Sequence, residues 1–298
     1  MDDILIFDIE TTGFSRQSTK VMLIGYVEMS QGIGKLSQLF CNSLSEEKEI
    51  LIDFMNTIKN YTYFMTYNGY AFDIPYLNAR YKANGIDFTI DKSRNIDMLK
   101  FTRKHINELQ LDNYKLKSVE KLLGIHRSDE ISGKESIDLY FSYLKSHDKL
   151  LLDKILLHNY DDIKNMYPLL GLTDLVSREK LETFLPKLIY FNNCNMVVSS
   201  YLIKDYLFIN LNSIEEIEDI IIEEFEYSIS IHNKVVEMKL PLINIRLNDK
   251  DLHFIDIEKL SNIKFNNLSN EDKMKLLIAL DNNIIPQAIM NVEQFILN

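Results

Sequence analysis

The chain has 298 residues, and 44 acidic against 33 basic side chains give it a formal charge of −11. That balance excludes a uniformly basic nucleic-acid coat protein, because neutralising phosphate needs a surplus of Lys and Arg. Hydrophobic residues make up 46% and charged residues 26%, which excludes a disordered chain, and no apolar run reaches the ~20 residues that span a bilayer. The opening Met1-Asp2-Asp3 lacks the cationic stretch of a signal peptide. Two cysteines, Cys41 and Cys194, make neither a disulfide framework nor a metal-ligand spacing. The expectation is a cytoplasmic, non-membrane protein of about two domains.

Strands are expected over Ile4–Phe7, Val21–Val27 and Leu36–Cys41, then a helix over Glu46–Ile58 capped by Ser45, and a strand over Tyr63–Tyr67. Helices follow over Asp73–Asn84, Leu116–Leu123, Lys134–Leu144 and Leu150–Leu170. All nine glycines lie within the first 171 residues. Beyond them, left-handed turn positions fall to Asn, which clusters at Asn192-Asn193, Asn248-Asp249, Asn266-Asn267 and Asn282-Asn283. This change places a connector around residues 171–186. In the C-terminal part, strands are expected over 188–191, 196–201, 207–211, 227–232, 235–240, 242–247 and 252–257, with hairpin turns at Asn233 and at Asn248-Asp249-Lys250. The segments Ile214–Glu224 and Glu271–Leu297 carry helical patterns, and no catalytic constellation stands out in this part.

Chemistry concentrates in three segments of the first part. In Phe7-Asp8-Ile9-Glu10-Thr11-Thr12-Gly13, positions i and i+2 of a strand face the same way, so Asp8 and Glu10 stand side by side at its end. Such carboxylates repel, and one raises its pKa unless a divalent cation removes that cost; the alternative is an exposed acidic pair. Oxygen ligands suit Mg2+ or Mn2+. In Asn68-Gly69-Tyr70-Ala71-Phe72-Asp73, Asp73 opens a helix, either as a cap or as a third carboxylate. In His158-Asn159-Tyr160-Asp161-Asp162, His158 and Asp162 stand at i and i+4 and share one helix face, whereas Tyr160 projects from another.

In this order and context the segments resemble the motifs of the DEDD superfamily of 3′–5′ exonucleases, with FDIETTG as the first, YNGYAFDIP as the second and HNYDD as the third. The resemblance covers roughly residues 3–170. It is nearest to the YprB-like branch, through Asn95-Ile96-Asp97-Met98, the run from Leu116 to Glu120 leading into Leu123-Gly124-Ile125, and Ser132-Gly133-Lys134-Glu135. It implies an α/β fold, a ribonuclease H-like mixed sheet flanked by helices over residues 1–172, followed by a smaller α+β domain over 173–298. The chemistry implied is two-metal hydrolysis of single-stranded DNA or RNA from the 3′ end. Asp8, Glu10, Asp73 and Asp162 would hold two Mg2+ or Mn2+ ions, with Asp8 as the bridge, and His158 would orient or deprotonate the attacking water. Family likeness also suggests that Thr11 and Thr12 contact the terminal nucleotide and that Asn68 and Phe72 line the site. One departure stands out: better known branches place a Tyr four residues, or a His five residues, before the last Asp, and here a His stands four before it.

Residues 80–127 hold eleven Lys and Arg against six Asp and Glu, with Tyr81, Phe101 and Tyr114 interleaved. This stretch is the expected phosphate-tracking surface, with Arg80, Arg103 and Lys104 as preferred contacts, or else a solvated helix face. Asp97 is either a supporting carboxylate or a cap. The acidity is uneven: residues 1–172 are net −3 and residues 173–298 net −8. The acidic block Glu215 to Glu224 points the C-terminal part towards a protein partner or self-association rather than nucleic acid. Rival readings are a structure-specific endonuclease on the same site and a non-catalytic nucleic-acid-binding or scaffold protein.

Overall fold

A computed structural model describes residues 4–30, 33–129, 131–176, 186–191, 194–260, 269–281, 283–285 and 289. The chain divides into two compact units, Met1–Leu185 and Pro186–Asn298.

In the first unit β1 (Ile4–Thr11), β2 (Val21–Ser30) and β3 (Ile33–Phe40) form an antiparallel meander. Two strands, β4 (Tyr63–Thr66) and β5 (Asn95–Asp97), extend the sheet parallel to β1. The resulting order is β3-β2-β1-β4-β5. Among the described residues six α-helices flank it: α1 (Glu47–Ile58), α2 (Asp73–Ala83), α3 (Met98–Lys104), α4 (Leu116–Leu122), α5 (Gly133–Ser146) and α6 (Lys149–Met166).

The period-two alternation of β1 sorts its side chains between two cores. Leu5, Phe7 and Ile9 pack with Phe54, Leu77 and Tyr140, while Ile6 packs with Met65, Phe101, Ile163 and Met166. Asp8 and Glu10 therefore project on the Ile6 side. Opposite Asp8 in the sheet is Gly25. A Cβ at Gly25 would meet Ile163 Cδ1 at 1.9 Å and Asn159 Oδ1 at 2.1 Å, so α6 lies directly on the sheet because no side chain intervenes.

Local chemistry sets the helix ends. Ser132 and Glu135 close a capping box at α5, and Asp148 caps α6 by accepting from Leu150 N–H. Ser45 does not cap α1: Leu44–Glu46 winds into a 3-10 turn, Glu46 takes the cap position without a side-chain bond, and the Ser45 hydroxyl bonds that of Ser43. The last expected helix stops at Met166, and Tyr167–Leu175, which contains Pro168, tightens into 3-10 turns.

The second unit is mostly antiparallel sheet. Its strands are β6 (Leu188–Phe191), β7 (Cys194–Ile203), β8 (Tyr206–Ser213), β9 (Ile220–Glu223), β10 (Ser228–His232), β11 (Val235–Leu247), β12 (Lys250–Ile255), β13 (Leu277–Leu280) and β14 (Asn283–Ile284). The path runs β14-β13-β12-β11-β8-β7-β6, with β10 also on β11 and β9 on β10. The two strands expected on either side of Pro241 are one strand that changes partner there, from β8 to β12. Asn233 and Lys234 (φ 50° and 67°) and Asn248 and Asp249 (φ 49° and 61°) make left-handed pairs that close two hairpins without glycine.

Two expectations fail in this unit. Residues 214–219 are irregular and Ile220–Glu223 pair with β10 instead of coiling, because three consecutive Ile residues fit a pleated surface better than a helix. Among the described residues the tail forms a short α7 (Asn270–Lys275), then β13 and β14 where helix was expected, with Ile289 helical beyond them. Residues 286–288 and 290–298 lie outside the described residues, as do Asn192-Asn193, Asn266-Asn267 and Asn282. Among the described residues no helix is long and apolar enough to cross a membrane.

Candidate functional site

The C-terminal end of β1 collects side chains from two helices. Asn159, fully buried on α6, donates from Nδ2 to Asp8 Oδ2 at 3.1 Å, and its Oδ1 accepts from Gln38 Nε2 at 2.9 Å. The amide thereby fixes one face of Asp8. Ile9 N–H donates to Asp73 Oδ1 at 3.2 Å, tying the first turn of α2 to the strand. The loop before α2 is held by Asp97, which accepts from Asn68 N–H and Tyr70 N–H, each at 3.0 Å, and also caps α3 through Leu99 N–H. Asp97 thus acts both as a cap and as a support for the loop that delivers Asp73.

From α6, His158 Nε2 lies 3.4 Å from Glu10 Oε1 and 3.8 Å from Asp162 Oδ2. One donor atom from each of Glu10, His158 and Asp162 falls within 4.8 Å of the others, a spacing that can hold a metal ion. Burial, reinforced by the charges of Asp73, Asp162 and Glu10, pushes Asp8 well above the usual carboxylate range. Burial first, then Asp162 and Asp73, does the same to Glu10. Asp73 is raised to about 7, chiefly by burial and against the Ile9 N–H bond. Asp8, Glu10 and Asp73, raised in this way, together with Asp162 beside them form a hard, oxygen-rich donor set, which fits Mg2+ or Mn2+. A second sign of fit is Ser136 Oγ, fully buried and facing Glu10, whose ionised form it favours.

The structure brings Asp8, Glu10, Asp73, His158 and Asp162 together and disperses several of the other expected residues. Thr11 Oγ1 donates to Gly13 O and Thr12 Oγ1 accepts from Lys20 N–H, each at 2.9 Å, so both hydroxyls shape the loop after β1. Asn68 takes a left-handed φ of 74° at the turn into α2. Phe72 packs edge-on against Phe14, whose ring is 84% exposed. Arg80 is not available to phosphate: it is buried in a two-point pair with Glu47, Nε to Oε1 at 2.8 Å and Nη2 to Oε2 at 2.7 Å. Arg103 is exposed and lies over the Tyr114 ring at 4.4 Å, and Lys104 is exposed beside it. Lys92 and Lys100 both stack on Tyr70, a cation–aromatic group next to the loop that delivers Asp73.

Several residues escaped the sequence reading. Asn159 sits inside a quoted motif, but its role depends on Gly25 letting α6 approach. Asp129 accepts from His158 Nδ1, and Arg127 binds Asp162. Neither lies in a motif; the one signal was the charged run Arg127-Ser128-Asp129-Glu130 just ahead of the α5 capping box.

A family model of the RNase_H superfamily matches residues 5–173. An uncharacterized protein, YprB of Bacillus subtilis, is 26% identical over 178 residues, covering 56% of this chain and 41% of its own length. A DNA polymerase of Methanocaldococcus jannaschii is 45% identical over 49 residues, 16% of this chain and 3% of the polymerase. The chain thus spans less than half the length of either relative. Among solved structures, the family B DNA polymerase of the hyperthermophilic archaeon Pyrobaculum calidifontis aligns with a TM-score of 0.44 at 13% identity, covering 70% of this chain and 34% of the polymerase.

Proposed function

We propose that this chain, which belongs to the RNase_H superfamily, is a divalent-metal-dependent nuclease that hydrolyses single-stranded DNA or RNA from the 3′ end. The observation that carries this reading is the convergence of Asp8, Glu10, Asp73 and Asp162 with His158, in which burial and mutual repulsion raise Asp8, Glu10 and Asp73. A non-catalytic scaffold has no use for such repulsion, whereas a cation site does.

Two Mg2+ or Mn2+ ions, when bound, would supply Lewis acidity and neutralise charge at the scissile phosphate. Asp8, Glu10, Asp73 and Asp162 would hold them, with Asn159 orienting Asp8. His158 presents Nε2 beside Glu10 and Asp162 and would orient or deprotonate water there. Phe72, with Phe14 against it, offers a surface on which a terminal base can stack. Thr11 and Thr12, with hydroxyls anchored to backbone, would contact the terminal nucleotide through the rigid loop they define. Lys92 and Lys100 on Tyr70, with Arg103 on Tyr114 and Lys104 beside it, form a cationic, aromatic track suited to a single strand. Cys41 and Cys194 are both free thiols, in keeping with a reducing cytoplasm as the workplace. For the second unit the reading is association with a protein or a second copy, since its exposed acidic residues disfavour phosphate.

The test gives the purified protein 5′-labelled single-stranded DNA and RNA with Mg2+ or Mn2+, beside an Asp8→Asn variant. A descending ladder that the variant lacks is the expected result. Cleavage of a circular single strand would reassign the site to an endonuclease, and no cleavage of any polymer would overturn the nuclease reading.

A further inference from the structure

Beside the carboxylates lies a second buried group that the metal chemistry does not use. Arg127, in the loop between α4 and α5, has a side chain only 10% exposed. Its Nε donates to Asp129 Oδ1 at 2.7 Å, its Nη1 to both oxygens of Glu120 at 3.0 and 3.2 Å, and its Nη2 to Asp162 Oδ1. Asn165 Nδ2 reinforces Glu120 at 3.0 Å. The loop is also clamped to α6, because Ser128 N–H and Asp129 N–H both donate to Asp161 Oδ2. One guanidinium therefore serves three carboxylates through its rigid fork of donors. Neutralising a single acid would not require such an arrangement.

The remaining oxygen of Asp129 accepts from His158 Nδ1. Although Asp129 is buried, its bonds to Arg127 and His158 hold it below the usual carboxylate range. As an anion it can only accept. Nδ1 must then be the donor in this bond, and Nε2 faces Glu10 Oε1 and Asp162 Oδ2.

We propose that Arg127 and Asp129 are positioning residues. Asp129 fixes His158 as the Nδ1–H tautomer, with Nε2 as the proton acceptor, and Arg127 locks Asp129 and Asp162 into one unit so that Asp162 offers Oδ2 alone to the site. The proposal rests on the nuclease reading for the reaction that His158 serves. In that reaction the water oxygen bonds to phosphorus, the bond from phosphorus to the 3′ oxygen breaks, the water proton passes to Nε2, and the leaving oxygen is protonated from solvent. The imidazolium so formed lies against ionised Asp129, which favours the transfer. This support also rationalises a histidine at a spacing where other branches carry tyrosine.

The test is Asp129→Asn in the full chain. Arg127 Nε needs an acceptor, so the carbonyl of the new amide takes the Oδ1 place and its NH2 turns to His158. That donor forces the Nε2–H tautomer. In protein with 15N-labelled histidine, the His158 signals, assigned against His158→Gln, should show a proton on Nδ1 in the parent and none there in the variant. Turnover should fall roughly 100-fold with KM within about twofold. Arg127→Lys, which keeps the charge but cannot bridge three carboxylates, should lose roughly tenfold. A parent ring without a proton on Nδ1, or a variant with unchanged Nδ1 protonation and turnover, overturns the proposal. If the parent cleaves no polymer, the nuclease reading falls while the tautomer measurement still decides the positioning role.

Discussion

Asp73 shows what the site costs the metal-free fold. Its pKa is about 7 in the folded chain against 3.8 for an ordinary aspartate, so the folded state binds its proton more tightly than the unfolded state does. The stabilisation is complete below the ordinary value and is lost as pH rises through about 7, and Asp8 and Glu10, also raised, act in the same direction. In EDTA the melting temperature should therefore fall between about pH 4 and pH 8, less steeply in Asp73→Asn. Saturating Mg2+ or Mn2+ should flatten the fall by supplying the missing positive charge; thermal melts across pH, with and without metal, check this, and a metal-free profile that rises with pH would refute it. Asp8 with Glu10 and His158 with Asp162 were legible because their spacings are local, i and i+2 on a strand and i and i+4 on a helix, whereas Asp73 as a ligand followed only from the resemblance. The partners of His158 were not, since Asp129 precedes it by 29 residues with α5 in between, and nothing in sequence fixes which acid an arginine will choose.

At the scale of elements, the site depends on how closely α6 approaches β1 and β2. Gly25→Ala would drive a methyl into Asn159 and Ile163, pushing away the helix that carries His158, Asn159 and Asp162. A loss of about 1–3 kcal/mol is expected from such overpacking, measurable by urea denaturation, together with a fall in turnover larger than in any surface control. Most strands and helices of the first unit followed from hydrophobic period and caps, whereas the short β5 and α3 did not, and the reason for a glycine opposite Asp8 is tertiary. In the second unit the same method misread Ile214–Glu224, where acids spaced among isoleucines imitate an amphipathic helix. Pairing with β10 decided the outcome, and isolated periodicity carries no information about an available neighbour. The hairpin turns were readable because Asn233 and Asn248-Asp249 stand where left-handed backbone is needed.

Across the molecule, the charge of −11 hides a division of labour among the cations. Of the eleven basic residues between 80 and 127, Arg80 and Arg127 are committed to buried carboxylates, and Arg94 Nε donates to Thr62 O. None of the three is free to track phosphate. Arg103, on Tyr114 and exposed, belongs to the surface. The two classes should separate by experiment. Arg80→Ala leaves Glu47 buried without its partner and should cost about 3–5 kcal/mol, with little change in the salt dependence of oligonucleotide binding. Arg103→Ala should leave stability nearly unchanged and reduce the slope of log affinity against log salt by about 1. Binding titrations at several salt concentrations, paired with denaturation curves, would read both; equal behaviour of the two variants would remove the distinction.

The bond from Arg127 to Asp162 also bears on how such a chain can drift. A copy released from catalysis could exchange Asp8 or Asp73 for a neutral residue and relieve repulsion at once, so selection for stability alone would favour that loss. Asp162 is different, because its removal takes one of three partners from a buried guanidinium. Retired descendants of this site should accordingly shed Asp8 and Asp73 early and keep Asp162 with Arg127 long after, leaving the fourth carboxylate as a remnant of fold rather than of chemistry.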